Sequence, residues 1–187
     1  MPLLSIRPAA PADSAGIARL HYLSHTTSFR SLASEDWIAA RDIAAYEEDW
    51  RRRLDVTDRL SLAWVAIERD EVVGIVSACA PAAPRAAGDG PAPAPIASIR
   101  ALHVHPDRLG TGIGRRLWRA VCTALGERGF ACARWDVIEA NAQARRFFEA
   151  AGARPVGRSP SGVEGVPILT YEIDVSSAIR GDGAPAR

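Results

Sequence analysis

The chain contains no lysine: all 23 of its basic residues are arginine. With the excess of alanine, this is explained by codon usage in a GC-rich genome rather than by function. An excess of charge of one sign is also lacking. The arginines face 22 acidic residues for a net charge of +1. That excludes the basic excess that phosphate-backbone binding normally shows, so no nucleic-acid partner is expected. Cysteine is scarce. Cys79, Cys122 and Cys132 are an odd, scattered set in apolar surroundings without metal-ligand spacing. They exclude a disulfide framework and point to a reduced, cytoplasmic protein. No apolar run approaches the roughly 20 residues that a membrane helix needs. The opening MPLLSIRPAA has neither the apolar core nor the cleavage site of a signal peptide. No membrane association is expected.

What is present is an ordinary globular composition. Hydrophobic residues make up 48% and charged residues 24% of 187 positions, enough for one domain with a real core. LSIRPA alternates apolar and polar residues and stops at Pro8, as a short first strand does. PADSAGIARLHYLSH reads as a helix, with Asp13 as its cap and Ile17, Leu20 and Ser24 on one face. A second helical region runs from Ser34 to Leu54, where Ile43, Tyr46, Trp50 and Leu54 form a stripe at helical spacing, a core pattern. LAWVAIERDEVVGIVSACA gives two strands joined by a tight turn at Arg69-Asp70-Glu71.

PAAPRAAGDGPAPAP, residues 81–95, is too rich in proline, glycine and alanine for either regular element and reads as a mobile loop. The sheet pattern resumes at once with IASIRALHVH. A glycine-rich turn then leads into the helix GRRLWRAVCTALGERG, the strand ACARWDVI, the helix NAQARRFFEAAGA and two terminal strands near ARPVG and ILTYEIDV. Residues 179–187 read as a disordered tail, leaving a single α/β domain with a mixed sheet over 1–178.

The turn in HPDRLGTGIGRRLW carries the chemistry. Gly110, Gly112 and Gly114 let backbone approach a ligand closely, and the helix that follows presents unpaired N–H donors and the positive end of its dipole. Arg108, Arg115 and Arg116 add charge. A nucleotide-hydrolase loop needs lysine and Ser/Thr after the last glycine, where Arg115-Arg116 stand. A dinucleotide fold usually puts its glycine turn after the first strand, not the fourth.

At this point the chain resembles the GCN5-related N-acetyltransferase (GNAT) superfamily over nearly its full length. SIRPAAPADSAGIARLH is similar to that family's first strand and helix, VVGIV to its third strand, and ALHVHPDRLGTGIGRRLW to its acetyl-CoA motif. WDVIEANAQARRFFEAAGARPVG is similar to its last conserved block. The resemblance implies a GNAT-like mixed, mostly antiparallel sheet of about seven strands flanked by about four helices. It implies acetyl-CoA as co-substrate and direct transfer of the acetyl group to a primary amine, on a small molecule or a peptide. Homodimers are common in the family.

By the same resemblance the pyrophosphate lies on the amides of Leu109, Gly110, Thr111, Gly112, Ile113, Gly114 and Arg115. The pantetheine arm pairs with the fourth strand at Leu102, His103 and Val104, and Asn141 and Phe148 contact it. A backbone N–H near Val104 polarises the thioester carbonyl. Leu109 departs from the family, which usually has Gln or Arg just before the first glycine.

Asp136, five residues before Asn141, matches the acidic base of relatives that acetylate protein N-termini; it is equally a strand-end carboxylate paired with an arginine. Glu139 is a second base candidate, or a partner of the helix dipole. Ser98 and Arg100 stand where histone-type members carry a glutamate. Phe148 replaces the tyrosine that serves as acid, and Tyr171 offers a substitute hydroxyl or a buried ring. General acid help is worth roughly a hundred- to ten-thousand-fold, less for a good leaving group such as a thiolate.

His103 and His105, two residues apart on the fourth strand, share a face, and His103 can relay a proton. No third ligand accompanies any histidine pair, so no metal is expected. His21 and His25 share a helix face; with Phe29 and Arg30, His25 is expected to line the acceptor pocket. The competing readings are an acyl-CoA-binding module with little catalysis, favoured by the missing tyrosine, and a structural subunit without cofactor, opposed by the intact glycine turn.

Overall fold

The computed structural model describes residues 4–55, 61–79 and 96–180. The expected loop at 81–95 and the end of the tail, 181–187, lie outside them. Among the described residues, seven strands and six α-helices follow one another as β1 (Ser5–Pro8), α1 (Ser14–Phe29), α2 (Glu35–Ala39), α3 (Ile43–Asp55), β2 (Ser61–Glu68), β3 (Glu71–Cys79), β4 (Ile96–Val104), α4 (Ile113–Glu127), β5 (Cys132–Ile138), α5 (Ala142–Ala150), β6 (Arg154–Pro160), β7 (Pro167–Asp174) and α6 (Val175–Arg180). The sheet order is β1-β2-β3-β4-β5-β7-β6. Only the β4–β5 pair is parallel among the described registers; β1–β2, β5–β7 and β6–β7 are antiparallel. The mixed, mostly antiparallel sheet expected from sequence is therefore present, with six helices rather than about four.

The two extra helices have local causes. Ser34 accepts the Trp37 N–H at 3.1 Å and starts α2, while Asp42 Oδ1 accepts the Ala44 N–H at 3.0 Å and starts α3. Two caps cut the expected single helix in two. At the other end, Asp174 Oδ1 accepts the Ser177 N–H at 2.9 Å, so Val175 opens α6 instead of closing β7. Asp13 also departs from expectation. Its carboxylate takes a bidentate pair from Arg7 (2.7 and 2.8 Å) and the Ala10 N–H (2.8 Å), and makes no cap bond to α1. The β2–β3 turn is the one expected: Arg69 (φ 52°) and Asp70 (φ 63°) adopt the left-handed geometry of a two-residue hairpin.

Contacts group the described residues into two compact units, one drawn from 1–78 and 100–121 and the other from 79–99 and 122–187. In the first unit, Ile17, Ala18 and Leu20 of α1 and Trp50 of α3 pack with Val65, Ile75 and Ala101 of the strands. Of the expected α3 stripe, Trp50 is fully buried, but Ile43 is 41% exposed at the helix start. The other sheet face carries α4, and Gly74 permits its close approach. A Cβ there would lie 2.8 Å from Leu117 Cδ1 and 2.9 Å from Ile113 Cγ2.

In the second unit, β4 pairs with β5 at Ile96–Cys132, Ala97–Ala133 and Ser98–Arg134, while β5 pairs with β7 along its whole length. Phe148 of α5 packs on Trp135 at a 4.8 Å centroid distance. No helix among the described residues is long and apolar enough to cross a membrane.

Candidate active site

The turn after β4 is closed by its own side chains. A short 3-10 turn, Pro106–Arg108, follows His105, and the Thr111 hydroxyl donates to the Arg108 carbonyl at 2.6 Å. Gly110 (φ 77°) and Gly112 (φ 85°) then take left-handed conformations that other residues adopt only with strain. The first helical bond across this junction runs from the Arg116 N–H to the Gly112 carbonyl, 3.1 Å. The amides of Ile113, Gly114 and Arg115 precede it and so have no acceptor within the helix. Such a row of donors at the positive end of a fifteen-residue helix suits a pyrophosphate. The residues present therefore fit acetyl-CoA.

Two side chains there do something other than expected. Arg108 is committed to Glu68 at the end of β2 (2.7 Å), which leaves Arg115 and Arg116, both exposed, as the charges by the turn. Leu109 is 47% exposed, while Ile113 is buried beneath the turn and anchors α4.

Leu102, His103 and Val104 end β4, and His105 lies past the strand, where its ring accepts the Asp107 N–H at 3.3 Å. The shared face of His103 and His105 is thus not continuous strand. His103 instead joins α1: its Nδ1 meets Ser24 Oγ at 3.0 Å and its ring stacks on His21 at 4.5 Å. Trp50 Nε1 donates to His21 Nδ1 at 3.1 Å, and His25 Nδ1 meets Tyr46 Oη at 2.6 Å. Phe29 is buried, with its ring against His25 (4.7 Å) and Trp37 (5.2 Å), while Arg30 is exposed.

Burial is the main reason these imidazoles resist protonation. It takes His103 down to about 4 with help from His25, and His21 to about 2 with help from His103, His25 and Arg53. His25 is lowered by burial and then by Arg41. Tyr46, Trp37, Ser24 and Trp50 were not assigned to this group from sequence. The available signal was two matching spacings, His21/His25 on α1 and Trp50/Tyr46 on α3, each one helical turn apart and zipped antiparallel.

In the second unit the two catalytic candidates are not brought together. Asp136 is exposed on the strand face shared with Arg134, and its Oδ1 accepts the Thr170 hydroxyl at 2.7 Å. Tyr171 pairs with Trp135, on the opposite face. Its side chain is 0% exposed, and its hydroxyl donates to Glu149 Oε1 at 2.6 Å and accepts from Arg145 Nε at 3.4 Å. Burial and the Glu149 carboxylate raise the Tyr171 pKa, which speaks against proton donation.

Phe148, 6% exposed, packs between Trp135 and Phe147. Asn141 caps α5, with Oδ1 accepting the Ala144 N–H at 3.0 Å. Glu139 is bound by Arg158 at 2.8 Å, and that hydrogen bond holds its carboxyl below the usual range. Among the described residues, no three His, Cys, Asp or Glu side chains are grouped to hold a metal ion.

Known proteins share this architecture. The PaiA N-acetyltransferase of Thermoplasma acidophilum, solved with coenzyme A, superposes with a TM-score of 0.74 at 15% identity, over 92% of this chain and 99% of that one. NAA60 of Arabidopsis thaliana with acetyl-CoA gives 0.68 at 15% identity, over 93% and 99%. The ribosomal-protein-S18-alanine N-acetyltransferase of Escherichia coli gives 0.65 at 14% identity, over 92% and 94%. At such identities the likeness speaks to the fold. No curated protein matches the chain significantly in sequence. The sequence pattern of the acetyltransferase (GNAT) family, however, matches residues 26–153. By that match over more than half of its length, the chain belongs to the GNAT family and is an acetyl-CoA-dependent N-acetyltransferase.

Proposed function

We propose that the protein transfers an acetyl group to a primary amine, carried by a small molecule or a peptide, by direct attack while both substrates are bound. The observation that carries this reading is the turn, whose three amides at Ile113, Gly114 and Arg115 lie ahead of the first helical bond. Acetyl-CoA supplies an activated acyl carbon and a thiolate leaving group.

The residues divide the work. The amides of Ile113, Gly114 and Arg115 hold the pyrophosphate on a turn shaped by Gly110 and Gly112, while the Leu109 and Thr111 amides, expected to share in it, are bonded to the Pro106 and Arg108 carbonyls. The backbone of Leu102, His103 and Val104 receives the pantetheine arm as an added strand. Asn141 uses Oδ1 for its helix cap, which leaves its amide N–H donors for the arm. Phe148 supplies an apolar surface. Asp136, oriented by Thr170, takes the proton from the incoming amine. Tyr171 positions α5 through Glu149, and the thiolate leaves without an acid. His25 and Phe29 belong to the acceptor side. The three free cysteines suit a reducing cytoplasm.

Free-thiol release from acetyl-CoA with a panel of amines and peptides tests the reading. Release that requires an amine, with the acetylated product seen by mass, is expected. Cofactor binding with no release across the panel would leave an acyl-CoA-binding module.

A further inference from the structure

A groove of about 470 Å³ runs between α1 and the β2–β3 hairpin, away from the residues assigned to catalysis. Gly16, Arg19 and Leu23, at helical spacing, give it one wall, and Asp70 and Glu71 at the hairpin tip give it the other. Leu20, Leu23, Ile67 and Val72 supply an aliphatic lining. Only His105 belongs to the segment that leads to the glycine turn, and its Nδ1 accepts the Asp107 N–H at 3.3 Å.

The charges in the groove are not balanced by one another. Arg7 and Asp13 are spent on their own bidentate pair. The side chains of Arg19, Asp70 and Glu71 make no hydrogen bond or ion pair among the described residues. Glu71 is felt by Arg108, but the hydrogen bond of that guanidinium goes to Glu68 at 2.7 Å. Exposed charges are ordinarily satisfied by water, and their pairs are worth little. The place of Arg19 is what sets it apart. A Cβ on Gly16 would lie 2.6 Å from Val72 Cγ2 and 4.0 Å from Arg19 Nη2. The guanidinium thus folds back over the bare Gly16 backbone, on the side where the hairpin packs. It lies along the groove.

One wall therefore offers a guanidinium and the other two carboxylates, with aliphatic carbon between them. These opposite charges do not reach each other, so a molecule that carries both can satisfy both walls at once. A singly charged molecule leaves one wall unmatched. We infer that the groove binds a zwitterion of the amino-acid type with an aliphatic side chain. Its carboxylate lies on Arg19, whose planar fork suits that group. Its ammonium lies on Asp70 and Glu71, and its side chain on the aliphatic lining. Such a site is a second one, independent of where the cofactor sits.

Calorimetric titration of the full chain with L-leucine tests this, against 4-methylpentanoate, which lacks the ammonium, and 3-methylbutylamine, which lacks the carboxylate. Saturable leucine binding below about 10 mM is expected, at least about fivefold tighter than for either analogue, the fold-change of one exposed ion pair. Arg19→Ala should weaken leucine by about fivefold and erase its advantage over 3-methylbutylamine. The double variant Asp70→Asn, Glu71→Gln should weaken it likewise and erase its advantage over 4-methylpentanoate. All three positions are exposed, so both variants should melt with wild type. No saturable leucine binding, or an analogue that binds as tightly as leucine, overturns the ligand class. Leucine binding that neither variant weakens lies elsewhere on the protein and overturns the site.

Discussion

Phe148 is a core residue as much as a departure from its family. Its ring fills the space over Trp135, so a hydroxyl added there by Phe148→Tyr needs a partner or costs about 1–3 kcal/mol. Because a thiol of pKa about 8.5 leaves as a thiolate without much help, turnover of Phe148→Tyr should stay within about threefold of wild type. A rise of about a hundredfold, the lower range of general acid catalysis, would show that the acid was missing. Asp136→Asn should lower kcat about a hundredfold or more and remove the acid limb of the pH–rate profile if Asp136 is the base. Unchanged kinetics would reduce it to a partner of Thr170.

The buried imidazoles also set a pH dependence of stability. His21, His25 and His103 all bind protons less readily when folded than at their ordinary value of 6.5. The unfolded chain therefore takes up more protons, and stability falls as pH drops from about 6.5 toward 4. Urea midpoints at pH 7 and pH 5 should differ in that direction, ahead of any titration of Asp13 or Glu172, whose carboxyls are held low by Arg7 and Arg134. Equal midpoints would mean that the rings are solvated.

At the scale of elements, the strands and the two longest helices were legible because their patterns are local. The β2–β3 hairpin, the glycine junction into α4 and the capped α5 each carry their own turn chemistry. Boundaries decided by a competing side chain were not legible. Asp42 and Asp174 each start a helix by capping it, and Asp13, which looks like a cap, is captured by Arg7. Of the candidate site, the conformation of the glycine turn was legible, because it is backbone. It was illegible where residues distant in sequence meet, as in Ser24–His103 and Tyr171–Glu149.

The close seat of α4 on β3 gives a test at this scale. Gly74→Val places a branched side chain against Leu117 and Ile113 and should destabilise by about 1–3 kcal/mol through overpacking. Because Ile113 begins the helix proposed to offer the phosphate donors, KM for acetyl-CoA should rise as well. A stable variant with unchanged KM would mean that the turn is held independently of that contact.

For the molecule as a whole, one proposed binding event is central: acetyl-CoA seated on the turn between β4 and α4. A ligand that binds only the native state must stabilise it, by about 2.7 kcal/mol at a hundred times its dissociation constant. The decisive measurement is the melting temperature of the full chain with and without millimolar acetyl-CoA, for wild type and for Gly112→Val. Gly112→Val forces a branched residue into a left-handed conformation at the turn proposed to bind the phosphates. A rise of several degrees for wild type, largely lost in Gly112→Val, is the expected result. An unchanged wild-type melting temperature, or a shift that Gly112→Val leaves intact, would contradict the placement of the cofactor.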